Sequence, residues 1–256
     1  MTSRITDSFA RAHAEGRGAF IAYLTMGYPS LDTSERAVDE LIAAGADIIE
    51  LGVPFSDPFA DGGVIREAAC AALAQGVTLD KVLACAKRLR ARHPETGFVL
   101  FSYYNLIFSK GLEAFADAAA DAGIDAVLAV DLPREEREEM LAVLRPRGLG
   151  YVPLIAPNTP LERVRLSAQG LENTFLYVIT VKGTTGARTQ LPDDLASRLD
   201  AIRALSPLPV AAGFGISTRA QAASVCEHAD GFIVGSALVK RLGAEGRLSA
   251  PLLSES

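Results

Sequence analysis

Tryptophan is absent from this sequence, and cysteine and histidine occur only three times each. The cysteines, at positions 70, 85 and 226, are scattered and contain no CxxC pair, so a disulfide framework is not expected. The histidines have no cysteine or acid at metal-ligand spacing, which argues against a metal site. These absences favour a reducing compartment and leave any chemistry to other side chains.

Basic charge and long hydrophobic runs are also lacking. With a net charge of −6 and no stripe of lysine or arginine, the chain is not expected to bind nucleic acid. No apolar run approaches the ~20 residues of a membrane-spanning helix, and positions 1–14 lack the apolar segment of a signal peptide. We therefore expect a cytoplasmic protein that binds no membrane, although backbone N–H groups could still hold a small anion.

Short apolar runs and longer amphipathic patterns alternate throughout the 256 residues. The runs do not alternate apolar with polar residues, which is typical of strands buried on both faces of a parallel sheet. The predicted strands are 20–25, 48–51, 98–102, 126–129, 151–155, 174–179, 209–213 and 231–234. Strand–helix units in this number, without an internal linker, predict an α/β fold, a single (β/α)8 TIM barrel over residues 1–256.

The barrel core is expected at about 19–242, after an N-terminal helix at about 2–14. The second unit carries an extra helix between Gly62 and Gly76, and a short loose tail is expected at the C-terminus. A doubly wound open sheet is the alternative, but residues 25–29 lack its GxGxxG fingerprint.

A weak internal repeat supports the barrel. Ala-Gly-x-Asp occurs at 44–47 and at 122–125, and a shorter echo occurs at 229–231. Each copy reads as a glycine helix stop that is followed directly by a strand.

Two acids in the second unit are the leading candidates for catalysis. Glu50 ends an apolar run, and Asp61 follows on a loop that contains prolines and glycines. A buried acid is costly unless it is used or paired, and desolvation raises its pKa towards neutrality, where general acid/base catalysis operates. Because active sites of such barrels lie at the carboxyl ends of the strands, we expect this pair above the pocket. A salt-bridged Glu50 and a helix-capping Asp61 are the alternatives.

Glycine turns follow the last two predicted strands, at 213–217 and 235–236. The loops after strands seven and eight form the recurrent phosphate site of this fold. The loop 181–190 exceeds the ~2–6 residues usual in α/β units, which predicts a mobile lid. These features indicate a barrel enzyme that acts on a small phosphorylated molecule by carboxylate chemistry without a metal.

Taken together, the motifs resemble those of the alpha subunit of tryptophan synthase. The most specific match is 50–62, and the matches at 104–106, 183–186, 213–216 and 235–237 follow in the family's order. Phe59, Gly63 and Lys182 are departures from the residues commoner in the family. The resemblance implies a lyase of tryptophan biosynthesis, which cleaves indole-3-glycerol phosphate to indole and glyceraldehyde 3-phosphate.

The resemblance also implies residue roles. Glu50 would protonate C3 of the indole and take the proton of the glycerol hydroxyl, while Asp61 would face the indole N–H. The substrate-binding residues would be Tyr23, Tyr103, Leu128, Ile155, Tyr177 and Thr185, of which Thr185 would close the lid onto Asp61. The phosphate-binding residues would be Gly186, Phe214, Gly215, Gly235 and Ser236.

A beta-subunit partner in an α2β2 assembly is implied as well, with contacts near Asp57, Pro58 and Asn105. Pyridoxal phosphate would belong to that partner, so no cofactor is expected in this chain. The alternatives are a stand-alone indole-glycerol-phosphate lyase, another phosphosugar isomerase or epimerase on the same barrel, a Schiff-base aldolase that uses Lys182, and a non-catalytic activating subunit.

Overall fold

The computed structural model describes residues 3–180, 193–213 and 215–254. Its strands are β1 (Ala19–Thr25), β2 (Ile48–Gly52), β3 (Gly97–Ser102), β4 (Ala126–Ala129), β5 (Gly150–Tyr151), β6 (Leu154–Ile155), β7 (Leu176–Ile179), β8 (Val210–Gly213) and β9 (Gly231–Val234). Its helices are α1 (Arg4–Ala14), α2 (Leu31–Ala43), α3 (Gly63–Ala74), α4 (Leu79–Arg92), α5 (Tyr104–Lys110), α6 (Leu112–Asp121), α7 (Glu138–Leu144), α8 (Leu161–Ala168), α9 (Asp193–Leu205), α10 (Arg219–His228) and α11 (Ser236–Glu245). The N-terminal helix and the extra helix of the second unit are therefore confirmed.

The strands form one parallel sheet in the order β5-β4-β3-β2-β1-β9-β8-β7-β6. The two ends of this order are neighbours in the chain, because only Val152 and Pro153 separate β5 from β6. The Val152 N–H donates to Val127 on one side at 2.9 Å, and the Tyr177 N–H donates to Pro153 on the other side at 3.1 Å. Residues 150–155 thus act as one strand that closes the ring, and the predicted (β/α)8 barrel is confirmed.

The strands are buried on both faces, as their continuous apolar sequences predict. All seven residues of β1 and all five of β2 are buried. Side chains that point inward, including Ile21, Ile48 and Val99, form a cluster inside the barrel. The buried face of α1 joins this cluster through Ile5 and Phe9, so α1 closes the amino end of the barrel.

Side-chain caps fix where several helices begin. The hydroxyl of Ser30 accepts from the Thr33 N–H at the start of α2, and that of Thr78 accepts from the Lys81 N–H at the start of α4. A hydroxyl in this position satisfies one of the N–H groups that a helix leaves without an internal partner. The Ser30 cap starts α2 directly after β1, and the Thr78 cap starts α4 after α3.

The repeated aspartates form a set of clips at the amino end of the barrel. Asp47 precedes β2 and accepts from the Phe20 N–H of β1 at 2.8 Å. Asp125 precedes β4 and accepts from the Phe98 N–H of β3, also at 2.8 Å. Asp230 precedes β9 and accepts from the backbone N–H at position 210 of β8 at 2.8 Å. Each copy of the repeat therefore ties the start of one strand to the start of the preceding strand.

The C-terminal tail differs from the loose segment that the sequence predicts. Leu248 and Leu253 are buried, and Ser254 forms a parallel bridge with Thr218. Two apolar side chains over a short stretch bury enough surface to hold the tail against the barrel.

None of the described helices is by itself long and apolar enough to cross a membrane. Only α3 and α4 taken together, with a bend of 98° between them, have a length and composition that could do so.

Candidate active site

Glu50 is a buried acid without a partner. It lies within β2, its side chain points into the barrel, and its exposed fraction is 0%. Neither carboxylate oxygen has a hydrogen-bond partner among the described residues. Desolvation raises the pKa of Glu50 to about 8. A pKa of about 8 keeps Glu50 largely protonated at neutral pH, so it can donate a proton, and Glu50 forms no salt bridge among the described residues.

Two tyrosines flank Glu50. Tyr23 on β1 is paired in register with Glu50. The pKa of Tyr177 on β7 is raised mainly by burial and to a lesser extent by the charge of Glu50. Burial and the nearby charge of Asp61 also raise the pKa of Tyr23. Both phenols therefore stay protonated at physiological pH and can donate hydrogen bonds.

Strand glycines make room for these phenols. A Cβ at Gly52 would lie 2.4 Å from the Tyr23 hydroxyl, and a Cβ at Gly213 would lie 2.9 Å from the Tyr177 hydroxyl. Any larger residue would displace the phenol oxygens from the region around Glu50. Sequence analysis did not single out Gly52 for this role, because the contact joins different strands.

Asp61 lies on the loop between β2 and α3. Its Oδ2 accepts a hydrogen bond from the Tyr103 hydroxyl at 2.9 Å. Burial raises the pKa of Asp61, while the Tyr103 hydrogen bond and the charge of Arg66 oppose the increase. The N-cap of α3 is Gly62, without a side-chain cap, so the capping alternative for Asp61 is wrong.

A cavity of about 260 Å³ opens at the carboxyl ends of the strands. Its lining includes six of the residues that the sequence points to, namely Tyr23, Asp61, Tyr177, Gly215, Gly235 and Ser236. Glu50 is outside this lining, but it is paired in register with Tyr23, which lines the cavity, so it lies one strand away from a lining residue. The arrangement brings two acids and two phenols to one pocket.

Three residues predicted to bind substrate lie elsewhere. Tyr103 contacts Asp61 and is not on the lining. Leu128 packs in the barrel interior, and Ile155 packs in the layer between the sheet and the helices. Side chains alternate along a strand, so Leu154, one position before Ile155, lines the cavity instead.

The apolar wall contains residues that the sequence analysis did not name. They are Ile65, Phe101, Val130, Leu154 and Ile179. The two-residue periodicity of each strand could have identified most of them, since Phe101 is two residues after Val99 and Val130 is two after Leu128. An apolar wall of this kind suits a flat aromatic ring.

One end of the cavity is suited to an anion. Gly215, Gly235 and Ser236 line it, and Gly235 is the N-cap of α11. Backbone N–H groups at a helix start favour negative charge. The predicted residues Thr185, Gly186 and Phe214, and also Lys182, lie outside the described residues.

The residues predicted to contact a partner lie on the rim of the same end of the barrel. Asp57 and Asn105 are exposed, whereas Pro58 is buried. Two large apolar side chains nearby are also exposed, Phe59 at 76% and Phe108 at 62%. Exposed apolar groups of this size are typical of interaction surfaces.

Within the part of the chain that the structure describes, no group of three or more His, Cys, Asp or Glu could hold a metal ion.

Comparisons with known proteins show the family of this chain. A family model described as tryptophan synthase alpha chain matches residues 9–252. The tryptophan synthase alpha chain of Geobacter sp. (strain M21) is 47% identical over 93% of this chain and 88% of its own length. That of Opitutus terrae is 43% identical over 98% of this chain and 95% of its own length.

Solved structures give the same result. Tryptophan synthase from M. tuberculosis, in its aminoacrylate-bound form, matches with a TM-score of 0.86 at 33% identity and covers 96% of this chain and 94% of that chain. The tryptophan synthase α2β2 complex of Pyrococcus furiosus matches with a TM-score of 0.84 at 39% identity and covers 90% and 92%. The family model, the sequence relatives and the solved structures agree: this chain belongs to the tryptophan synthase alpha chain family.

Proposed function

We propose that this chain cleaves indole-3-glycerol phosphate by a retro-aldol reaction with Glu50 and Asp61 as its acid/base pair. The observation that carries the proposal is the Glu50 carboxyl, which is fully buried, lacks a hydrogen-bond partner among the described residues and has a pKa raised to about 8. An acid in this state is poised to give a proton and take one back near neutral pH.

Glu50 both donates a proton and takes one back in the proposed reaction. The neutral carboxyl donates its proton to C3 of the indole, which turns the ring into a cation that can accept electrons. The bond between C3 and the glycerol carbon then breaks, its electron pair returns to the ring, and indole forms. The glycerol hydroxyl loses its proton to the Glu50 carboxylate, which leaves the aldehyde of glyceraldehyde 3-phosphate and restores the acid.

Asp61 supplies the opposing charge. A carboxylate that faces the indole N–H stabilises the positive charge that develops when C3 is protonated. The half-buried position of Asp61 on the cavity lining supports this role, because a charge acts more strongly where water is excluded. Tyr23 and Tyr177, whose phenols remain protonated, would orient the glycerol chain.

The glycine end of the cavity would hold the phosphate. Gly235 and Ser236 support this role through their position at the start of α11, and Gly215 lines the same cavity from the loop after β8. The apolar wall with Phe101 and Ile179 would receive the indole ring. The substrate would then lie with its phosphate at the start of α11 and its indole ring against the apolar wall.

A beta-subunit partner follows from membership of the family, and the Pyrococcus furiosus relative is an α2β2 complex. For this chain we propose the rim that includes Asp57, Phe59, Asn105 and Phe108 as the contact surface. The exposed rings of Phe59 and Phe108 support it, because a partner would remove their apolar area from water. Pyridoxal phosphate would reside in that partner.

The direct test is indole release from indole-3-glycerol phosphate by the purified chain, with and without a beta subunit. Release by the wild type establishes the reaction, and a large gain on adding the beta subunit establishes the coupled complex. High activity without a beta subunit indicates a stand-alone lyase. No indole under either condition contradicts the proposal and favours an isomerase or a non-catalytic subunit.

The Schiff-base alternative needs its own test. Borohydride reduction in the presence of substrate traps a covalent adduct if Lys182 forms an imine. We expect no adduct, because the acid/base reaction involves no bond between the chain and its substrate.

A further inference from the structure

Tyr103 connects the catalytic loop to the barrel. It lies between β3 and α5, is 2% exposed and is not on the cavity lining. Its hydroxyl donates to Asp61 Oδ2 at 2.9 Å and accepts from the Ala60 N–H at 3.1 Å. One phenol oxygen thus holds both the carboxylate and the backbone just before it.

Other hydrogen bonds of this loop stay within it. The Phe59 N–H donates to Asp57 O, and the Asp61 N–H donates to Pro58 O. Among the described residues, the hydrogen bonds that join residues 54–61 to another element both end on the Tyr103 hydroxyl. Among the described residues, the Tyr103 hydroxyl is therefore the group that fixes the Asp61 carboxylate by a hydrogen bond.

Tyr103 is itself held firmly. Phe55 stacks on its ring with centroids 4.8 Å apart, and Phe59 contacts it edge-on at 5.4 Å. On its C-terminal side, the Tyr104 N–H donates to Asp131 Oδ1 at 2.6 Å and fixes the start of α5. A fixed ring gives a hydrogen bond a defined direction, and catalytic groups need defined directions.

We propose that Tyr103 is a positioning residue of the lyase reaction, which holds the Asp61 carboxylate over the cavity so that it faces the indole N–H. This inference rests on the proposed function and replaces the role of ring wall that the resemblance implies for Tyr103. It assigns the phenol hydroxyl a function that the ring alone cannot supply.

The test is Tyr103→Phe, which keeps the ring and its packing and removes the hydroxyl. Loss of a hydrogen bond to a charged group that acts in the transition state lowers kcat by about tenfold, with KM nearly unchanged. The Tyr103 hydroxyl lowers the pKa of Asp61. Without it, the rise of activity with pH that reports ionisation of Asp61 moves to higher pH.

Tyr151→Phe is the matched control. The Tyr151 hydroxyl donates to the backbone oxygen of Leu132 at 3.4 Å, away from the cavity lining, so its removal leaves both kcat and the pH profile unchanged. The decisive comparison uses Asp61→Asn. If Tyr103 acts through Asp61, Tyr103→Phe has no further effect in the Asp61→Asn background, whereas independent roles give additive losses.

Several results overturn the inference and keep the proposed function. They are a wild-type kcat in Tyr103→Phe, a change in KM alone with an unmoved pH profile, and additive losses in the double variant. Full activity of Asp61→Asn would overturn the inference together with the proposed role of Asp61. A wild type that releases no indole contradicts the proposed function itself and the inference with it.

Discussion

The two ends of the barrel treat their buried acids in opposite ways. At the amino end, Asp47 accepts from Arg17 at 2.6 Å, and Asp125 accepts from Arg4 at 2.9 Å and from Arg90 at 2.6 Å. Each also accepts a backbone N–H from the neighbouring strand. These carboxylates are saturated, and they hold strands together.

At the carboxyl end, Glu50 has neither an arginine nor a hydrogen bond among the described residues. Leaving a buried carboxyl without partners costs free energy of folding. We infer a separation of tasks: the acids that stabilise the fold are fully paired, and the acid to which we assign the chemistry has no partner among the described residues. Mutations at the amino end should therefore lower stability without changing activity, and mutations of Glu50 should lower activity without unfolding the chain.

The largest expected effect is on activity at the unpaired end. Glu50→Gln keeps the shape of the side chain and removes the ionisable carboxyl proton, so indole release falls by about 10³-fold. The variant should unfold at a temperature no lower than that of the wild type, because it lacks the buried ionisation that costs stability near neutral pH. Residual activity within a few fold of the wild type would falsify the role of Glu50 as acid and base.

The same residue predicts how stability depends on pH. The pKa of Glu50 is raised from 4.5 to about 8 in the folded chain, so the folded state binds the proton more tightly than the unfolded state. Its contribution to the free energy of unfolding is therefore full below about pH 4.5 and is lost as pH rises through about 8. Denaturant titrations across this range should show the decline in wild type and its loss in Glu50→Gln. Parallel pH dependences in the two proteins would contradict the unpaired state.

Breaking a paired acid should give the reverse result. Asp125→Ala leaves Arg90, which is largely buried, without its counterion and removes the acceptor of the Phe98 N–H. The free energy of unfolding should fall by about 3 kcal/mol, while kcat measured well below the unfolding transition stays unchanged. An Asp125→Ala variant that is stable but inactive would contradict the separation of tasks.

A smaller effect on stability is expected where the loop that carries Asp61 enters α3. Gly63 is the first residue of α3, has no positive φ, and a Cβ there meets nothing within 4 Å. Gly63→Ala should raise the free energy of unfolding by about 0.5 kcal/mol, because it restricts the unfolded chain. Urea unfolding measures this change. Gly76→Ala is the matched control: because Gly76 has a φ of 70°, this substitution should lower the free energy of unfolding. Equal shifts in both variants would show that backbone conformation does not decide the outcome.

Sequence predicts much of this architecture because the signals are local. The strands could be located within a residue or two, since an apolar run and a glycine stop are read from neighbouring positions. The position of Glu50 at a strand end and that of Asp61 on the loop after it can be predicted for the same reason. The break at Pro153 is also local in origin, because proline lacks the N–H that a continuous ladder needs.

Contacts between distant segments could not be predicted in this way. The Tyr103–Asp61 hydrogen bond joins residues 42 positions apart, and the arginines that pair with Asp125 come from α1 and α4. The choice between Leu154 and Ile155 depends on which face of a two-residue strand turns inward. Such details are fixed by three-dimensional packing rather than by local pattern.

The aspartate clips also bear on the order in which the chain folds. They join residues only 27, 27 and 20 positions apart, at Asp47, Asp125 and Asp230. Closing such short loops costs little chain entropy, whereas pairing β1 with β9 brings together opposite ends of the sequence. Each clip can therefore secure a strand–helix–strand unit before the ring exists. We therefore expect these clipped units to form early in folding and closure of the ring to be a late step.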